Sequence, residues 1–311
     1  MKHILTETPT TYTPTTKELL AGGIINIDKP KGPSSHQTSD FTKKLLGSNK
    51  AGHSGTLDPA VTGVQPIAYG WATRIIEYFL TAPKTYVGVM HVHKPFTQEQ
   101  LHKVVAQFHG TIKQMPPVKS AVKRQLRDRN IYSLDINEVR GQDVLFTVTC
   151  QAGTYIRKLC HDMGKKMGVG AHMAALRRTK AGPVNEQDTL VTLDDLRDAM
   201  QYYREGNDTM LRSILHPIEI GVRHLPKVYI HSTAITSIQN GRDLARPGII
   251  ALDEFEKDDL VAVMTDDSRL IAVGQALKPF YEVINAKKGV VVRTNKVFVR
   301  EVPQSSRPTQ G

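Results

Sequence analysis

The sequence has little cysteine and no long hydrophobic run. Its two cysteines, Cys150 and Cys160, lack metal-type spacing, and so few in 311 residues favour a reducing compartment, the cytoplasm. No apolar stretch approaches the ~20 residues of a membrane-spanning helix. Neither end resembles a signal peptide or a basic amphipathic helix. These absences argue against a secreted, disulfide-stabilised or membrane protein.

Acidic residues are also in deficit, and the deficit is uneven along the chain. The formal net charge is +11 and the isoelectric point is near 9.5. Between Lys94 and Lys180 there are sixteen Lys and Arg against six Asp and Glu, whereas Ala181 to Leu225 has four against eight. A basic band confined to mid-chain indicates a polyanionic partner, and nucleic acid fits it better than a general need for solubility.

Twelve histidines raise the question of a metal site. The nearest candidate is His91 with His93, which would share one face of a strand. No third ligand at useful spacing accompanies them in the sequence. We therefore interpret this pair as part of a solvated strand face, and we expect no metal site.

The length and the shifts in composition predict two domains with short extensions. We expect an N-terminal extension at residues 1–19, a first domain at 20–225, a second at 226–303 and a tail at 304–311. The extension is rich in threonine and would be disordered alone, but it could lie along the second domain as an extended strap. The acidic stretch from Glu186 to Asp208 marks the connection between the domains.

Hydrophobic periodicity predicts an α+β first domain, with a mixed and largely antiparallel sheet flanked by helices. Caps at Ser34 or Ser35, Thr97 and Thr154 would begin three of the helices. The third would carry Arg157 in its first turn, and a further short helix would include Leu176. The predicted strands are residues 22–28, 86–92 and 144–150. The predicted longer helices are residues 34–46, 72–80 and 96–110.

The second domain differs from the first in its predicted elements, which are short strands joined by close turns. Two hairpins are predicted, one pairing residues 259–265 with 270–277 and the other pairing 290–293 with 297–300 across Thr294-Asn295-Lys296. About eighty residues of this kind predict a small β-barrel.

Residues 52–63 form the stretch on which the functional interpretation centres. Three glycines and one proline in twelve residues disfavour regular structure, so we predict a stiff polar loop. Asp58 precedes Pro59 and should be held extended, presenting one carboxylate. Arg157 would need a nearby anion, because a cation in the first helical turn opposes the helix dipole, and Asp58 is a candidate. Ordinary Asp-Pro turn chemistry is the alternative interpretation.

A second cluster, between Lys119 and Arg129, holds five basic residues in eleven. Gln125, Asn130 and Tyr132 supply hydrogen-bonding and stacking groups among these charges. The combination is typical of RNA or DNA contact, although a solvated charged face would show the same composition.

The loop Gly-His-Ser-Gly-Thr-Leu-Asp-Pro at 52–59 closely resembles the active-site motif of TruB-type RNA pseudouridine synthases. Other motifs of that family follow in its order, namely Lys29-Pro30-Lys31-Gly32, Lys84-Thr85-Tyr86, Gly153-Thr154-Tyr155-Ile156-Arg157 and Leu176-Arg177-Arg178. Gly241-Arg242-Asp243-Leu244-Ala245-Arg246-Pro247-Gly248 resembles the signature of a PUA domain, an RNA-binding barrel. The resemblance covers nearly all of residues 22–302.

The resemblance implies an isomerase that breaks the N-glycosidic bond of a uridine, rotates the uracil and rejoins it through carbon. The family uses neither a cofactor nor a metal. The roles that it implies for matching residues are as follows: Asp58 as the catalytic carboxylate, Arg157 as its ion-pair partner, Tyr86 stacked on the uracil, Leu176 as an apolar wall, His53 filling the place of the flipped base, Lys29 supporting the loop, and Lys123 and Arg124 on the substrate RNA.

Within the family the chain is most similar to the dyskerin branch, the synthase of box H/ACA ribonucleoproteins. Pro116 to Arg124 is close to the pattern of that branch, and the thumb segment of bacterial stand-alone enzymes is missing after Lys94. This implies a guide RNA and small protein subunits as partners, with Gly241, Arg246, Pro247 and Gly248 on the guide. The lack of long lysine-rich tails is typical of an archaeal member. Two alternatives stay open: a stand-alone synthase for the tRNA T-loop, and an RNA-binding scaffold without catalysis.

Overall fold

The computed structural model describes residues 2–116 and 123–298 of the chain, which divides into two compact units. The larger unit is Thr15–Gly221, and the smaller unit combines Met1–Pro14 with Val222–Gly311. Each unit has its own core of buried apolar side chains. Within the described residues, no helix has both the length and the apolar character needed to cross a membrane.

The first strand, β1 (Lys2–Ile4), belongs to the smaller unit. The strands of the larger unit are β2 (Ile24–Lys29), β3 (Ala51–His53), β4 (Thr62–Tyr69), β5 (Lys84–Val92), β6 (Gly110–Gln114), β7 (Arg127–Arg140), β8 (Asp143–Cys150), β9 (Ala171–Ala181), β10 (Val184–Asn185) and β11 (Leu215–His216). They form one ten-stranded sheet in the order β11-β2-β4-β9-β5-β8-β7-β6, with β3 paired to β4 and β10 to β9. The named strands pair antiparallel except for β4 with β9, which confirms the predicted α+β class.

Seven α-helices of the larger unit are described: α1 (Thr16–Ala21), α2 (Ser35–Leu45), α3 (Ile76–Thr81), α4 (Gln98–Val105), α5 (Ile156–Lys166), α6 (Leu193–Arg204) and α7 (Thr209–Ile214). Ser34 and Thr97 cap α2 and α4 through reciprocal capping boxes, as predicted. The predicted cap at Thr154 is wrong, because its hydroxyl donates to the carbonyl of Gln151 and Tyr155 occupies the N-cap position. Arg157 nevertheless lies in the first turn of α5.

The segment that contains Leu176 is a strand, so the helix predicted there is wrong. Strand β9 lies between β4 and β5 in the centre of the sheet, where backbone pairing on both sides outweighs local propensity. Leu176 faces Gly88, where even a methyl side chain would lie 2.9 Å from the Leu176 Cδ1 atom. The pairing therefore fixes Leu176 against β5.

The further elements of the smaller unit are β12 (Lys227–Ile230), α8 (Ser232–Gln239), β13 (Leu244–Ala245), β14 (Ile249–Asp253), β15 (Leu260–Thr265), β16 (Leu270–Ala276), α9 (Phe280–Asn285) and β17 (Val290–Val297). Its seven-stranded sheet has the order β1-β14-β12-β15-β16-β17-β13, with β12 and β15 parallel and the other neighbours antiparallel. Past β1, the chain continues along this unit through bonds from the amides of Thr10 and Tyr12 to the carbonyls of Asp266 and Asp267.

One of the two predicted hairpins is correct. Strands β15 and β16 pair antiparallel, as predicted. The second hairpin is wrong, because β17 continues through Thr294-Asn295-Lys296 and pairs with β16. Val273 faces Lys296 and Gly274 faces Thr294, so Asn295 is the extra residue of a β-bulge. The polar residues that resemble a turn accommodate this bulge.

Candidate functional site

Asp58 lies in the irregular segment between β3 and β4. The predicted loop over 52–63 is shorter than expected, since its first two residues complete β3 and its last two begin β4. The Val61 amide donates to the Asp58 carbonyl at 3.0 Å, which closes a turn around the aspartate. Gly63 has φ of +103°, and a Cβ there would lie 2.2 Å from the Arg178 carbonyl oxygen. Glycine therefore lets the loop enter the sheet beside β9.

The carboxylate of Asp58 forms an ion pair with the guanidinium of Arg157, as the sequence predicts. The contact joins Oδ2 to Nη2 across 99 residues of sequence. The Asp58 side chain is 52% exposed and that of Arg157 is 58% exposed. The pair is therefore accessible to a substrate from solvent.

Buried polar groups hold the Asp58 loop from beneath. The Ser35 hydroxyl accepts from the Leu57 amide at 2.7 Å and lies 3.2 Å from the Leu57 carbonyl oxygen, to which it donates. The Lys29 ammonium is fully buried and donates to the carbonyls of Pro30, Pro59 and Val61 at 2.9, 3.3 and 2.8 Å. These bonds lie on both sides of Asp58, so they restrict its position.

The start of α5 is fixed by an amide side chain from β6. Gln114 is 2% exposed, donates to the Tyr155 carbonyl at 3.2 Å and accepts from the Tyr155 amide at 2.9 Å. This bidentate contact replaces a side-chain cap on the helix. It places the first turn of α5, and with it Arg157, opposite the loop.

Tyr86 and Leu176 belong to the same apolar cluster as Leu57 of the loop. Tyr86 lies on β5, is half-buried, and faces Val148 on β8 and Arg178 on β9. Burial raises the pKa of the Tyr86 phenol, against a lowering effect of the Arg178 cation. An aromatic ring and an aliphatic side chain thus lie in the core on which the loop packs.

His53 is held at the edge of the loop by two hydroxyl groups. Its Nδ1 lies 3.1 Å from the Ser39 Oγ atom, and its Nε2 lies 3.3 Å from the Thr56 Oγ1 atom. Burial lowers its pKa to about 4, with further lowering by His36 and Arg178. The imidazole is therefore neutral at physiological pH.

The sequence did not reveal three roles: Ser35 as a support of the loop, Gln114 as the group that holds the start of α5, and Arg178 as a buried cation. Ser35 reads only as a helix cap in the sequence, and Gln114 has no local signal because its partner is 41 residues away. Arg178 is 1% exposed. Its place inside a predicted helix hid the buried side chain, since long-range pairing alone puts it beneath the loop.

The basic cluster is partly outside the described residues, because 117–122 are not among them. Lys123 and Arg124 are exposed and precede β7, on which Arg127 and Arg129 lie. The Arg129 Nε donates to the carbonyl of Gly153 at 3.0 Å, just before α5. This contact brings β7, the described continuation of the basic segment, next to the segment that leads into Arg157.

The segment Gly241 to Gly248 follows α8 in the smaller unit and consists of a turn, the short strand β13 and a 3-10 turn. Gly241 has φ of +76°, and Arg246, Pro247 and Gly248 form a single 3-10 turn. The Arg246 Nε donates to the Val283 carbonyl at 2.8 Å. Gly241 and Pro247 are exposed, whereas Arg246 and Gly248 are partly covered.

His91 of β5 and His93, which follows the end of that strand, lie near a third imidazole that the sequence did not reveal. The His93 Nε2 lies 2.9 Å from the His172 Nδ1, and the His91 Nδ1 lies 2.6 Å from the Asp143 carboxylate. His172 comes from β9 and was hidden by sequence distance. Across the described part of the chain, no three His, Cys, Asp or Glu are arranged to hold a metal ion.

Three family models match residues between 43 and 298 of the chain. The sequence matches the TruB family pseudouridylate synthase (N terminal domain) at residues 43–95 and 91–156. It matches the tRNA pseudouridylate synthase B C-terminal domain at 157–223 and the PUA domain at 226–298.

Relatives are similar over most of their length. "Probable tRNA pseudouridine synthase B" of Methanopyrus kandleri is 48% identical over 285 residues, which cover 91% of this chain and 84% of that protein. The protein of the same name from Methanothermobacter thermautotrophicus is 50% identical over 279 residues, covering 89% of this chain and 86% of that protein.

Solved structures give the same match in three dimensions. One chain of a Cbf5-Nop10-Gar1 complex is 42% identical with a TM-score of 0.88, covering 96% of this chain and 94% of that one. A chain of an H/ACA RNP bound to a substrate RNA containing 2'-deoxyuridine is 40% identical with a TM-score of 0.88, covering 96% and 95%.

Proposed function

This chain belongs to the TruB family of pseudouridylate synthases, as its motifs predict, and we propose that it is the catalytic subunit of a guide-directed box H/ACA ribonucleoprotein. It is a pseudouridine synthase, an isomerase that converts uridine to pseudouridine in RNA. The observation that carries the site assignment is the ion pair of Asp58 with Arg157, open to solvent on a loop that is rigidly held from below.

Asp58 is the proposed catalytic carboxylate. It must be ionised to act as a nucleophile or to stabilise positive charge on the ribose. Arg157 favours the charged form and orients it, because a guanidinium beside a carboxylate lowers the free energy of the anion. Bonds from Lys29 and Ser35 to the loop reduce the reorganisation needed to reach the reacting atoms.

The remaining residues form the proposed pocket for the base. Tyr86 stacks on the uracil and assists proton transfer at its carbon, and Leu176 provides an apolar wall. His53 occupies the place that the flipped nucleotide leaves. Because burial keeps His53 neutral, it adds no positive charge that would compete with Arg157 for Asp58.

Flipping the target uridine out of its stack costs a few kcal/mol, and least in a loop or a guide pocket. Lys123 and Arg124, with the basic strand β7 behind them, can offset this cost through phosphate contacts. The substrate is then rRNA or tRNA held by its backbone, and affinity should fall steeply with salt.

Two features favour guide dependence. The chain has no thumb segment after Lys94, so another component must grip the substrate. Two of the similar structures are those of a Cbf5-Nop10-Gar1 complex and an H/ACA RNP, and we infer small protein subunits of this kind as partners here. We also assign Gly241, Arg246, Pro247 and Gly248 to the guide RNA, with its terminal ACA and lower stem on the smaller unit.

The proposal also covers the shape of the smaller sheet and the cellular compartment. The match of residues 226–298 to the PUA domain supports closure of the seven-stranded sheet into a small barrel. The two cysteines are unpaired and buried, which favours a reducing compartment such as the cytoplasm.

The decisive experiment is a pseudouridine assay on target RNA with and without a guide RNA and the small subunits. We expect rapid turnover only in the complete mixture. Asp58→Asn should abolish turnover and leave RNA affinity within about threefold, because it keeps the shape and removes the anion. Substantial product from that variant would remove Asp58 from the mechanism.

A stand-alone tRNA synthase is the second candidate, favoured by the name "Probable tRNA pseudouridine synthase B" that the relatives carry. Fast turnover of bare tRNA without a guide would support it. The Asp58–Arg157 ion pair and the family membership argue against the remaining alternative, an RNA-binding scaffold without catalysis.

A further inference from the structure

Three buried cations lie in the strands beneath the candidate site. Lys29 in β2, Lys84 in β5 and Arg178 in β9 are 0%, 5% and 1% exposed. Their hydrogen-bond acceptors among the described residues are backbone carbonyls and include no carboxylate. The two lysines use three carbonyls each, which matches the three donors of an ammonium group.

Arg178 differs from the lysines because its hydrogen bonds are incomplete. Its Nε donates to the Val64 carbonyl of β4 at 2.8 Å, and its Nη1 donates to the Gly55 carbonyl of the Asp58 loop at 3.1 Å. Its Nη2 is buried and has no acceptor in ideal geometry within the described structure, and the Tyr86 phenol is the side chain with which the guanidinium interacts beyond those two carbonyls. A buried donor that lacks a well-aligned partner costs about 1–3 kcal/mol, so the position of the Tyr86 phenol beside this guanidinium matters to both groups.

Tyr86 is the titratable residue that interacts with this guanidinium through both its charge and a side-chain hydrogen bond. The two residues face each other across β9 and β5, where opposed side chains share one face of the sheet. The Arg178 cation opposes the rise in the Tyr86 pKa that burial produces. One planar group therefore contacts the loop of Asp58, the strand behind it and the aromatic residue of the site.

We propose that Arg178 is a positioning residue of the isomerisation, which holds the Asp58 loop and Tyr86 in one fixed arrangement through its planar fork. This inference rests on the proposed roles of Asp58 and Tyr86. The fork matters more than the charge, because an ammonium group cannot reach acceptors on β4 and on the loop with the same rigid geometry.

The matched pair of variants is Arg178→Lys and Arg177→Lys. Arg177 is the neighbouring residue on β9 and bonds to Asp28 at 2.9 Å and to Glu186 at 2.6 Å, and its side chain has no hydrogen bond or ion pair with the Asp58 loop or Tyr86 among the described residues. Both changes keep the charge and remove a bidentate contact. We expect Arg178→Lys to slow single-turnover pseudouridine formation by about 10- to 100-fold, since a displacement of 1 Å can cost that much. The Kd for RNA should stay within about twofold, because Arg178 is 1% exposed and its buried side chain does not face a phosphate backbone in solvent.

A purely structural role for Arg178 predicts a different result. In that case the two variants should lower the rate equally whenever they lower the melting temperature equally. We expect instead that Arg177→Lys lowers the melting temperature and leaves the rate within about twofold, which is the scale of an independent site. Equal rates for the two variants in the folded complex would overturn the proposal.

A double-mutant cycle with Tyr86→Phe tests whether Arg178 acts through the phenol. If it does, the fold decrease in rate caused by Arg178→Lys should be at least about five times smaller in the Tyr86→Phe background than in the wild type. If the rate decrease of the double variant equals the product of the two single decreases, the link to Tyr86 is refuted. A wild-type rate for Tyr86→Phe alone would instead remove the proposed role of Tyr86, which separates failure of this inference from failure of the function assignment.

Discussion

Replacing Arg157 by alanine should slow catalysis far more than it weakens the fold. The side chains of Arg157 and Asp58 are 58% and 52% exposed. Ion pairs as open as this contribute at most about 1 kcal/mol to the free energy of unfolding. For a domain of this size that is a decrease in melting temperature of roughly 2–4 °C.

The expected decrease in rate is larger. A hydrogen bond to a charged group contributes about 1.5–3 kcal/mol. If the Arg157 contact serves the transition state, removing it lowers the rate by about 10- to 150-fold, at about 1.4 kcal/mol per factor of ten. The same guanidinium therefore has a small structural effect and a large catalytic one.

The assay is single-turnover pseudouridine formation in the complete guide complex, with melting temperature followed in parallel. Arg197→Ala is the matched control, since Arg197 lies on α6 and pairs with Asp194 at side-chain exposures of 62% and 76%. It should change the melting temperature as little as Arg157→Ala and leave the rate unchanged. A large fall in melting temperature at normal turnover for Arg157→Ala would refute the reasoning, because Arg157 would then serve the fold.

The site and its basic segment give three further predictions. Burial lowers the pKa of His53 to about 4, below the ordinary value near 6.5, so the unfolded chain binds the proton first as pH falls. Stability should decline between about pH 6.5 and 4, and a pH series of melting temperatures should show a shallower decline for His53→Gln. Lys29→Met leaves three carbonyls without their donor, at a cost of about 1–3 kcal/mol each in the free energy of unfolding. The urea midpoint and the turnover should therefore both fall. An unchanged midpoint would contradict the loop-support role. Alanine at Lys123 and Arg124 should reduce the slope of log affinity for RNA against log salt by about 0.7 for each phosphate that the side chain neutralises, and an unchanged slope would place both residues away from RNA.

Local sequence was sufficient where the chemistry is local. Ser34 and Thr97 begin their helices because a capping box needs only residues three apart, and the strand starting at Leu270 pairs with β15 because the turn residues are adjacent. The ion pair of Asp58 with Arg157 was also predicted, since a cation in the first turn of a helix requires an anion nearby.

Prediction failed where distant pairing decides the conformation. The segment around Leu176 is a strand because β4 and β5 pair with it on both sides, and Asn295 lies in a bulge because β16 fixes the register of β17. Neither pairing leaves a local signal, because the two partners lie tens of residues apart.

By itself the sequence determined the α+β class, the order of motifs and the carboxylate on a stiff loop, since propensity, periodicity and turn chemistry act within a few residues. Only the tertiary structure decided what lies beneath that loop. In the sequence Ser35 reads as a candidate helix cap, Gln114 carries no signal and Arg178 falls in a predicted helix, yet all three are buried against backbone groups far along the chain. The physical reason is that a buried polar group is defined by its partner, and the fold alone supplies the partner.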